Sequence, residues 1–366
     1  MEQVFSPQEI LSLTRNKYSK VIRNCSPLFT LFEITNACNS HCKYSMLDCK
    51  YCSLECPPSD DELTTQEVYA LINNIAQGGT VSLCLTGGEP TLRKDLLQII
   101  AHASGRMQVT LITNGVLLDQ EYVRKLKRAG ISWIKVYLDS PEAEVHDSLR
   151  GDGTHHKALQ ALKNCKILGI TSSIVVTLTP MNYERLREMI RLSLELRACI
   201  ETTEFLPVDG INSENNLILT KEQRKQAQKY LLEGQRLLGR EKILFGHYSI
   251  ISEDEEGLKI WADPSKKDTN VGYPWGIYGY GIKANGKMVP DPLIAVEVGD
   301  LKKQKLSELW EKSVLIKTLR HRGRLNGKCG KCEYKFICGG HRGRAYLLGG
   351  DFMDEDPACW YEPQLS

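Results

Sequence analysis

The chain has no long apolar run. Nowhere in its 366 residues do roughly 18 apolar residues follow one another, the length a membrane-spanning helix requires, so no membrane partner is expected. The start of a secreted protein is missing as well. MEQVFSPQEILSLTRNKYSK is polar and lacks an apolar core, which makes the cytoplasm the expected location. Charge of one sign is also absent: 47 Lys and Arg against 45 Asp and Glu leave +2. No electrostatic argument therefore favours nucleic acid or an anionic membrane. The short basic run Lys302, Lys303, Lys305 reads as solvated surface. A composition of 42% hydrophobic and 25% charged residues is that of a globular protein with room for one large domain and a smaller one.

Cysteine, by contrast, is plentiful, with 13 in the chain. A reducing compartment disfavours disulfides, so clustered cysteines read as metal ligands or reactive thiols. Cys38, Cys42, Cys49, Cys52 and Cys56 crowd one short segment, and Cys329, Cys332, Cys338 and Cys359 lie near the C-terminus. Cys25, Cys84, Cys165 and Cys199 are scattered among apolar neighbours and read as small buried hydrophobes.

Short apolar, β-branched runs alternate with amphipathic stretches from about Leu31 to Leu206. The strand candidates are LFEIT (31–35), TVSLCLT (80–86), VTLIT (109–113), WIKVYL (133–138), SSIVVTL (172–178) and TEFLP (203–207). Helical patterns lie between them, such as 63–77, 92–104, 119–130 and 182–197. Strand, crossover helix and strand, repeated without hairpin signals, predict parallel strands with helices outside. Six such units curl naturally into an open partial barrel. In parallel α/β folds ligands sit beyond the carboxyl ends of the strands. That is where the suggestive residues fall: the cysteine segment after the first strand, TGGEP (86–90) after the second, TNG (113–115) after the third and DS (139–140) after the fourth.

CNSHC, then CKYC, with GGEP after the next strand, resembles the radical S-adenosylmethionine (SAM) superfamily. Those enzymes usually carry CxxxCxxC, in which three thiolates bind three irons of a 4Fe–4S cluster and the fourth iron is left for SAM. Here Cys38 and Cys42 keep the CxxxC spacing, but Ser45 stands where the third cysteine should be. CKYSMLD (42–48) is followed by CKYCSLE (49–55), a near-perfect tandem heptad, and deleting either copy restores the usual motif. The resemblance then implies Cys38, Cys49 and Cys52 as ligands, with Cys42 the alternative to Cys38 and one cysteine spare. A structural zinc site competes when the cysteine pairs are taken alone, but GGEP argues against it.

The resemblance carries over to the loops. Gly87, Gly88, Glu89 and Pro90 match the motif that binds the SAM amino group, Thr113 and Asn114 match residues near its ribose, and Arg150 matches the cation for its carboxylate. Tyr137 departs from the usual Ser, and the pair His146 and Asp147 reads as structural. Cys329-x2-Cys332-x5-Cys338-x20-Cys359 resembles the SPASM/twitch extensions that hold auxiliary 4Fe–4S clusters. Cysteines needed for a second auxiliary cluster are missing from GIKANGKMVPD and from Arg342, four residues beyond Cys338. One auxiliary cluster is therefore expected, with zinc the alternative. The domains implied are an N-terminal helical extension (1–28), a partial (β/α)6 radical SAM barrel (29–215), a helical linker (216–270) and a SPASM/twitch-like iron–sulfur module (271–366).

The implied chemistry begins with an electron from the N-terminal cluster to SAM, which splits into methionine and a 5′-deoxyadenosyl radical. The radical takes hydrogen from an unactivated C–H bond, and the auxiliary cluster accepts the electron left on the substrate, making an oxidoreductase. An electron donor such as flavodoxin or ferredoxin is the implied partner. The tail GGHRGRAYLLGGDFMDEDPAC resembles enzymes of haem d1 and alternative haem synthesis, which edit tetrapyrrole side chains, and related tails occur in maturases of ribosomally made peptides. Many peptide enzymes carry an N-terminal leader-binding domain, for which the 30 residues before the first strand are too few. A tetrapyrrole is thus slightly favoured over a peptide. A non-catalytic electron-transfer protein is the third reading and would have no use for GGEP. Asp209, His247 and Asp291 are candidate acid/base groups near the barrel mouth, each also readable as structural, and Tyr273, Trp275, Tyr278 and Tyr280 would line a pocket or fill a core.

Overall fold

The computed structural model describes residues 25–40, 42, 58–206, 217–239, 242–245, 251–254, 257–260, 272–294, 296–336 and 338–363. Cys49, Cys52, Asp209 and His247 lie outside the described residues. β1 (Phe29–Glu33) is followed by the cluster loop and α1 (Thr65–Gln77), β2 (Ser82–Thr86) by α2 (Leu96–Ser104), and β3 (Gln108–Thr113) by α3 (Gln120–Arg128). Next come β4 (Trp133–Tyr137) with α4 (Ala143–Arg150) and α5 (Thr154–Leu168), then β5 (Ser172–Leu178) with α6 (Leu186–Leu196). β6 (Cys199–Glu204), α7 (Lys221–Leu238) and β7 (Ile243–Phe245) complete the parallel series.

The chain then makes an antiparallel pair, β8 (Ile251–Asp254) with β9 (Gly257–Ile260), inside the stretch read from sequence as a helical linker. Thereafter it returns to the main sheet. β10 (Gly279–Ile282) pairs in parallel with β1, and β11 (Lys287–Val289) and β12 (Gly299–Asp300) continue it antiparallel. The result is one ten-stranded sheet, order β12-β11-β10-β1-β2-β3-β4-β5-β6-β7, open and not closed into a barrel. Four short helices follow: α8 (Leu306–Lys312), α9 (Val314–Arg320), α10 (Gly327–Lys331) and α11 (Arg342–Gly349).

Helix starts follow local chemistry. Thr64 caps α1 with Glu67 bonding back, and Thr220 does the same for α7 with Gln223, so each box satisfies two otherwise orphan N–H groups. Asp119 caps α3. Two further readings needed correction. The sixth strand begins at Cys199, not at residue 203, because its polar CIETTE run conceals a strand whose Glu201 is matched by an ion-pair partner. The helix α5 went unread because Gly153, in left-handed conformation at φ 74, precedes a run with little apolar contrast.

Strand alternation divides the sheet into two unlike faces. Phe32, Leu83, Leu85, Val109, Leu111 and Ile134 are fully buried in one core with α1, α2, α3, α5 and α6. Each such side chain contributes about 1.5–3 kcal/mol of burial. The opposite, inner face carries Cys84, Lys135, Tyr137, Thr177 and Glu201, as the register of β2 to β6 requires. The ammonium of Lys135 is 2.6 Å from the Glu201 carboxylate. Burial disfavours its charge, but Glu201, together with Cys84 and Tyr137, raises the lysine above its usual range.

The C-terminal part is fastened to the β1 side of the parallel series by buried side chains. Thr80 Oγ1 and the Tyr280 hydroxyl are 2.7 Å apart, Thr30 donates to the Tyr280 carbonyl, and the Tyr280 ring leans on Trp310. Lys283 pairs with Glu33 at 3.1 Å. Trp275 and Tyr278 pack around Phe29, so much of the aromatic stretch seals this junction. At the other margin Leu206, Leu293 and Leu347 meet in a small apolar cluster that joins the end of β6 to α11.

Candidate functional site

The loops after β1, β2 and β3 meet at the carboxyl edge of the sheet, and a single buried carboxylate joins two of them. Glu89 is 1% exposed. It accepts hydrogen bonds from Thr91 N (3.0 Å) and Oγ1 (2.5 Å), Thr113 Oγ1 (2.7 Å) and Asn114 N (2.8 Å). Burial pushes its carboxyl up, against the lowering by these donors. Asn114 extends the connection, donating from Nδ2 to Asn39 Oδ1 and Ser40 Oγ, each at 2.8 Å. The residues flanking Cys38 are thus tied to the third loop through Asn114.

The two glycines of GGEP are required by how closely their backbone approaches the cluster loop. Gly88 N donates to Thr35 O at 2.8 Å and Glu89 N to Ala37 O at 2.7 Å. A Cβ on Gly87, whose φ is +142, would stand 2.1 Å from Thr35 O, and one on Gly88 would stand 2.3 Å from Ala37 O. No other residue fits. Two residues missed from sequence hold both ends of the same loop. Glu62 accepts from Thr35 Oγ1, Asn36 N and Ser59 N. Arg93 donates to Ile34 O and Leu63 O while paired with Asp95. The only prior signal was their place beside the motifs, at the end of the loop and just after GGEP.

Arg150 lies at the opposite side of this rim. Its Nε is 2.6 Å from the fully buried carboxylate of Asp139, its Nη2 donates to Thr177 Oγ1 at 2.9 Å, and its guanidinium stacks 4.0 Å over the Tyr137 ring. Tyr137 thus gives the arginine a platform. Asp139 also accepts from Thr177 N, and its carbonyl accepts from Asn182. His146 Nδ1 accepts the Asp139 N–H at 3.0 Å, and burial lowers the imidazole to about 4, so it is neutral there. For Asp147 burial opposes the charge, but the N–H groups of His155 and Gly153 hold its carboxyl below the usual range. This pair fixes the turn between α4 and α5. Cys42 Sγ is 4.0 Å from the Arg150 carbonyl, which places the first cysteine of the duplicated heptad at this arginine.

The C-terminal cysteines form a second locus. Cys332, Cys338 and Cys359 pack around Tyr361, and the buried Cys329, packed with Leu325 and Met353, accepts the Cys332 N–H on its carbonyl. Cys329, Cys332 and Cys359 are free thiols. Burial pushes Cys332 and Cys359 up to about 12 and raises Cys329, and the neighbouring Cys338 adds to each rise. Left alone these groups keep their protons, and only a metal or cluster would draw them into thiolates. The surroundings fit that role. Cys329 Sγ receives Asp356 N at 3.3 Å and Arg342 Nη2 at 3.6 Å. Among the described residues no three His, Cys, Asp or Glu side chains gather tightly enough for a single metal ion.

A buried polar seam links this locus to β6. Arg224 and Arg344 both reach Glu204, at 2.7 and 3.5 Å, and Arg344 also reaches Asp356 at 3.4 Å. Asp291, the described member of the three acid/base candidates, lies beside the seam. It is fully buried; Oδ1 accepts from Leu293 N at 2.7 Å, Oδ2 has no hydrogen-bond partner among the described residues, and burial raises the carboxyl to about 7. Gly343, at the start of α11, has no room for a side chain because Asp291 Oδ2 and the Tyr273 hydroxyl occupy it. No helix among the described residues is long and apolar enough to cross a membrane.

Comparison with known proteins agrees with this geometry. The family model described as the radical SAM superfamily matches residues 32–193. An AdoMet-dependent heme synthase of Methanosarcina barkeri is 30% identical over 345 residues, covering 92% of this chain and 97% of that protein. A PqqA peptide cyclase of Bradyrhizobium diazoefficiens is 28% identical over 352 residues, covering 92% and 87%. Among solved structures, Streptococcus suis SuiB bound to S-adenosylmethionine superposes with a TM-score of 0.69 at 15% identity, over 98% of this chain and 84% of that one. That likeness is one of fold.

Proposed function

Because the chain belongs to the radical SAM superfamily, we propose that this enzyme cleaves SAM reductively and oxidatively modifies an unactivated C–H position of a larger substrate, a tetrapyrrole side chain. The observation that carries the reading is the joining of Glu89, Asn114 and the residues around Cys38 into one rigid rim. Bound there, SAM and an iron–sulfur cluster supply the electron transfer and the 5′-deoxyadenosyl radical.

The chain's own residues bind and orient. Cys38, Cys49 and Cys52 are the proposed cluster ligands, with Cys42 spare. The backbone of Gly87, Gly88, Glu89 and Pro90 offers carbonyls to the SAM ammonium, and Thr113 and Asn114 set the loop that meets the ribose. Arg150, seated between Asp139 and Tyr137, is the proposed cation for the SAM carboxylate. Cys329, Cys332, Cys338 and Cys359 hold one auxiliary 4Fe–4S cluster, and a flavodoxin or ferredoxin supplies electrons.

The tetrapyrrole is favoured by the match to nearly the full length of an AdoMet-dependent heme synthase. A peptide substrate is the second reading, favoured by the similar PqqA peptide cyclase. The test is anaerobic reconstitution, reduction with dithionite and assay of 5′-deoxyadenosine from SAM. Its formation should rise on adding a candidate iron tetrapyrrole, with a mass change in the tetrapyrrole. Absence of 5′-deoxyadenosine above background would sink the enzyme reading; formation without any change in the tetrapyrrole would turn the choice to the peptide.

A further inference from the structure

Arg342 stands four residues beyond Cys338, in the place where a further cysteine would serve a second auxiliary cluster. It is not a passive replacement. The residue is 3% exposed, and its Nη2 lies 3.6 Å from the sulfur of Cys329. Its Nη1 donates to the carbonyls of Phe352 (3.0 Å) and Asp354 (2.5 Å), so the tail fixes the guanidinium in position. Nε is buried without a hydrogen-bond partner among the described residues.

Gly340 makes the approach possible. Its φ is +62, and a Cβ there would stand 2.4 Å from Arg342 Nη2 and 3.0 Å from Cys329 Sγ. The backbone has therefore been cleared of a side chain where the guanidinium meets the sulfur. Other charges near the thiols are Asp356 by Cys329, Glu333 by Cys332, Lys328 by Cys359 and Arg322 by Cys338. Asp356 is answered by Arg344 and by the N–H groups of His341 and Ala358. Arg342 is thus a cation in direct contact with a ligand-candidate sulfur, that of Cys329.

We infer that Arg342 sets the reduction potential of the cluster bound by Cys329, Cys332, Cys338 and Cys359, holding it high enough to accept an electron. The inference rests on the auxiliary-cluster reading above. Hydrogen bonds to ligand sulfur and nearby positive charge are established levers on cluster potential. On reduction the cluster gains one electron and one negative charge. A fixed guanidinium and the Asp356 N–H on Cys329 stabilise that added charge more than the oxidised form. Arg342 acts through Cys329 and is a positioning residue.

The test is an anaerobic redox titration of the reconstituted enzyme followed by electron paramagnetic resonance, taking as auxiliary the signal that added SAM leaves unchanged. In Arg342→Gln the ratio of reduced to oxidised cluster at a fixed potential should fall about tenfold, equivalent to a midpoint about 59 mV lower for a one-electron couple. Arg342→Lys, which keeps the charge, should recover most of the shift. An unchanged midpoint in Arg342→Gln with wild-type iron content overturns the inference. Should that variant lose its iron, the wild-type enzyme labelled with guanidino-15N arginine decides. A 15N coupling to the reduced auxiliary cluster that disappears in Arg342→Lys protein retaining the cluster supports the role, and no coupling refutes it. Wild-type iron sufficient for a single cluster overturns instead the auxiliary-cluster reading on which the inference stands.

Discussion

The two cysteine loci are held in opposite ways. Around Cys38 the fixing is done by backbone: Gly88 and Glu89 donate their N–H groups to Thr35 and Ala37, and two glycines keep the chains within van der Waals reach. Around Cys329 it is done by charge, with Arg342 and the Asp356 N–H aimed at the sulfur and Arg344, Arg224 and Glu204 behind them. Backbone walls suit a site that must admit a ligand, since they define shape and add little fixed charge. A guanidinium on sulfur suits a closed site whose task is to change charge. The locus beyond β1 is thus walled mainly by backbone, and the one at Cys329 mainly by charged side chains.

The sharpest way to break this comparison is to remove one thiol from each locus. Cys38→Ala should lose half the iron and all formation of 5′-deoxyadenosine, whereas Cys359→Ala should lose the other half and retain SAM cleavage. Cys42→Ala should behave like wild type in both assays. Iron counting with electron paramagnetic resonance checks all three, and cluster loss in Cys42→Ala with retention in Cys38→Ala would reverse the ligand assignment.

The next effect is on stability at the SAM rim. Arg150→Gln strips a fully buried Asp139 of its cation, which should cost about 3–5 kcal/mol in anaerobic urea unfolding. A loss below about 1 kcal/mol would mean that Tyr137 and Thr177, not the ion pair, seat the rim.

Two buried titrating groups, one beside each locus, should give pH dependences of opposite sign. Asp291 binds its proton more tightly folded, with its carboxyl raised from 3.8 to about 7 by burial. The folded state therefore loses stability as pH rises from about 4 to 7. Relative to wild type, Asp291→Asn should gain about 4 kcal/mol between pH 4 and pH 8. His146 is held neutral, lowered from 6.5 to about 4 by burial, so stability falls as pH drops through that window. Wild type should lose about 2 kcal/mol relative to His146→Asn between pH 7 and pH 5. Urea unfolding of each pair across pH reads both, and equal slopes would remove the distinction.

Much of the frame was legible because its signals are local. Parallel units, GGEP after β2 and the cysteine spacings all lie within a few residues of the elements they mark. The start of β6 at Cys199 was concealed because Glu201 and Thr203 look unlike a buried strand until Lys135 appears opposite. Glu62 and Arg93 carried no motif of their own, and their role follows from where both ends of the cluster loop come to rest.

By itself the sequence determined the family chemistry: the cysteine sets, the duplicated heptad and the glycines at a strand end are written in residue type and spacing. Only the tertiary structure decided who meets whom. Phe29 and Gly279 pair across 250 residues, Asp139 and not solvent answers Arg150, and Arg342 reaches Cys329 through the space left by Gly340. Such partners are chosen when strands and helices close on one another, because burial makes an unpaired charge too costly to leave, and no local pattern encodes which charge will be near.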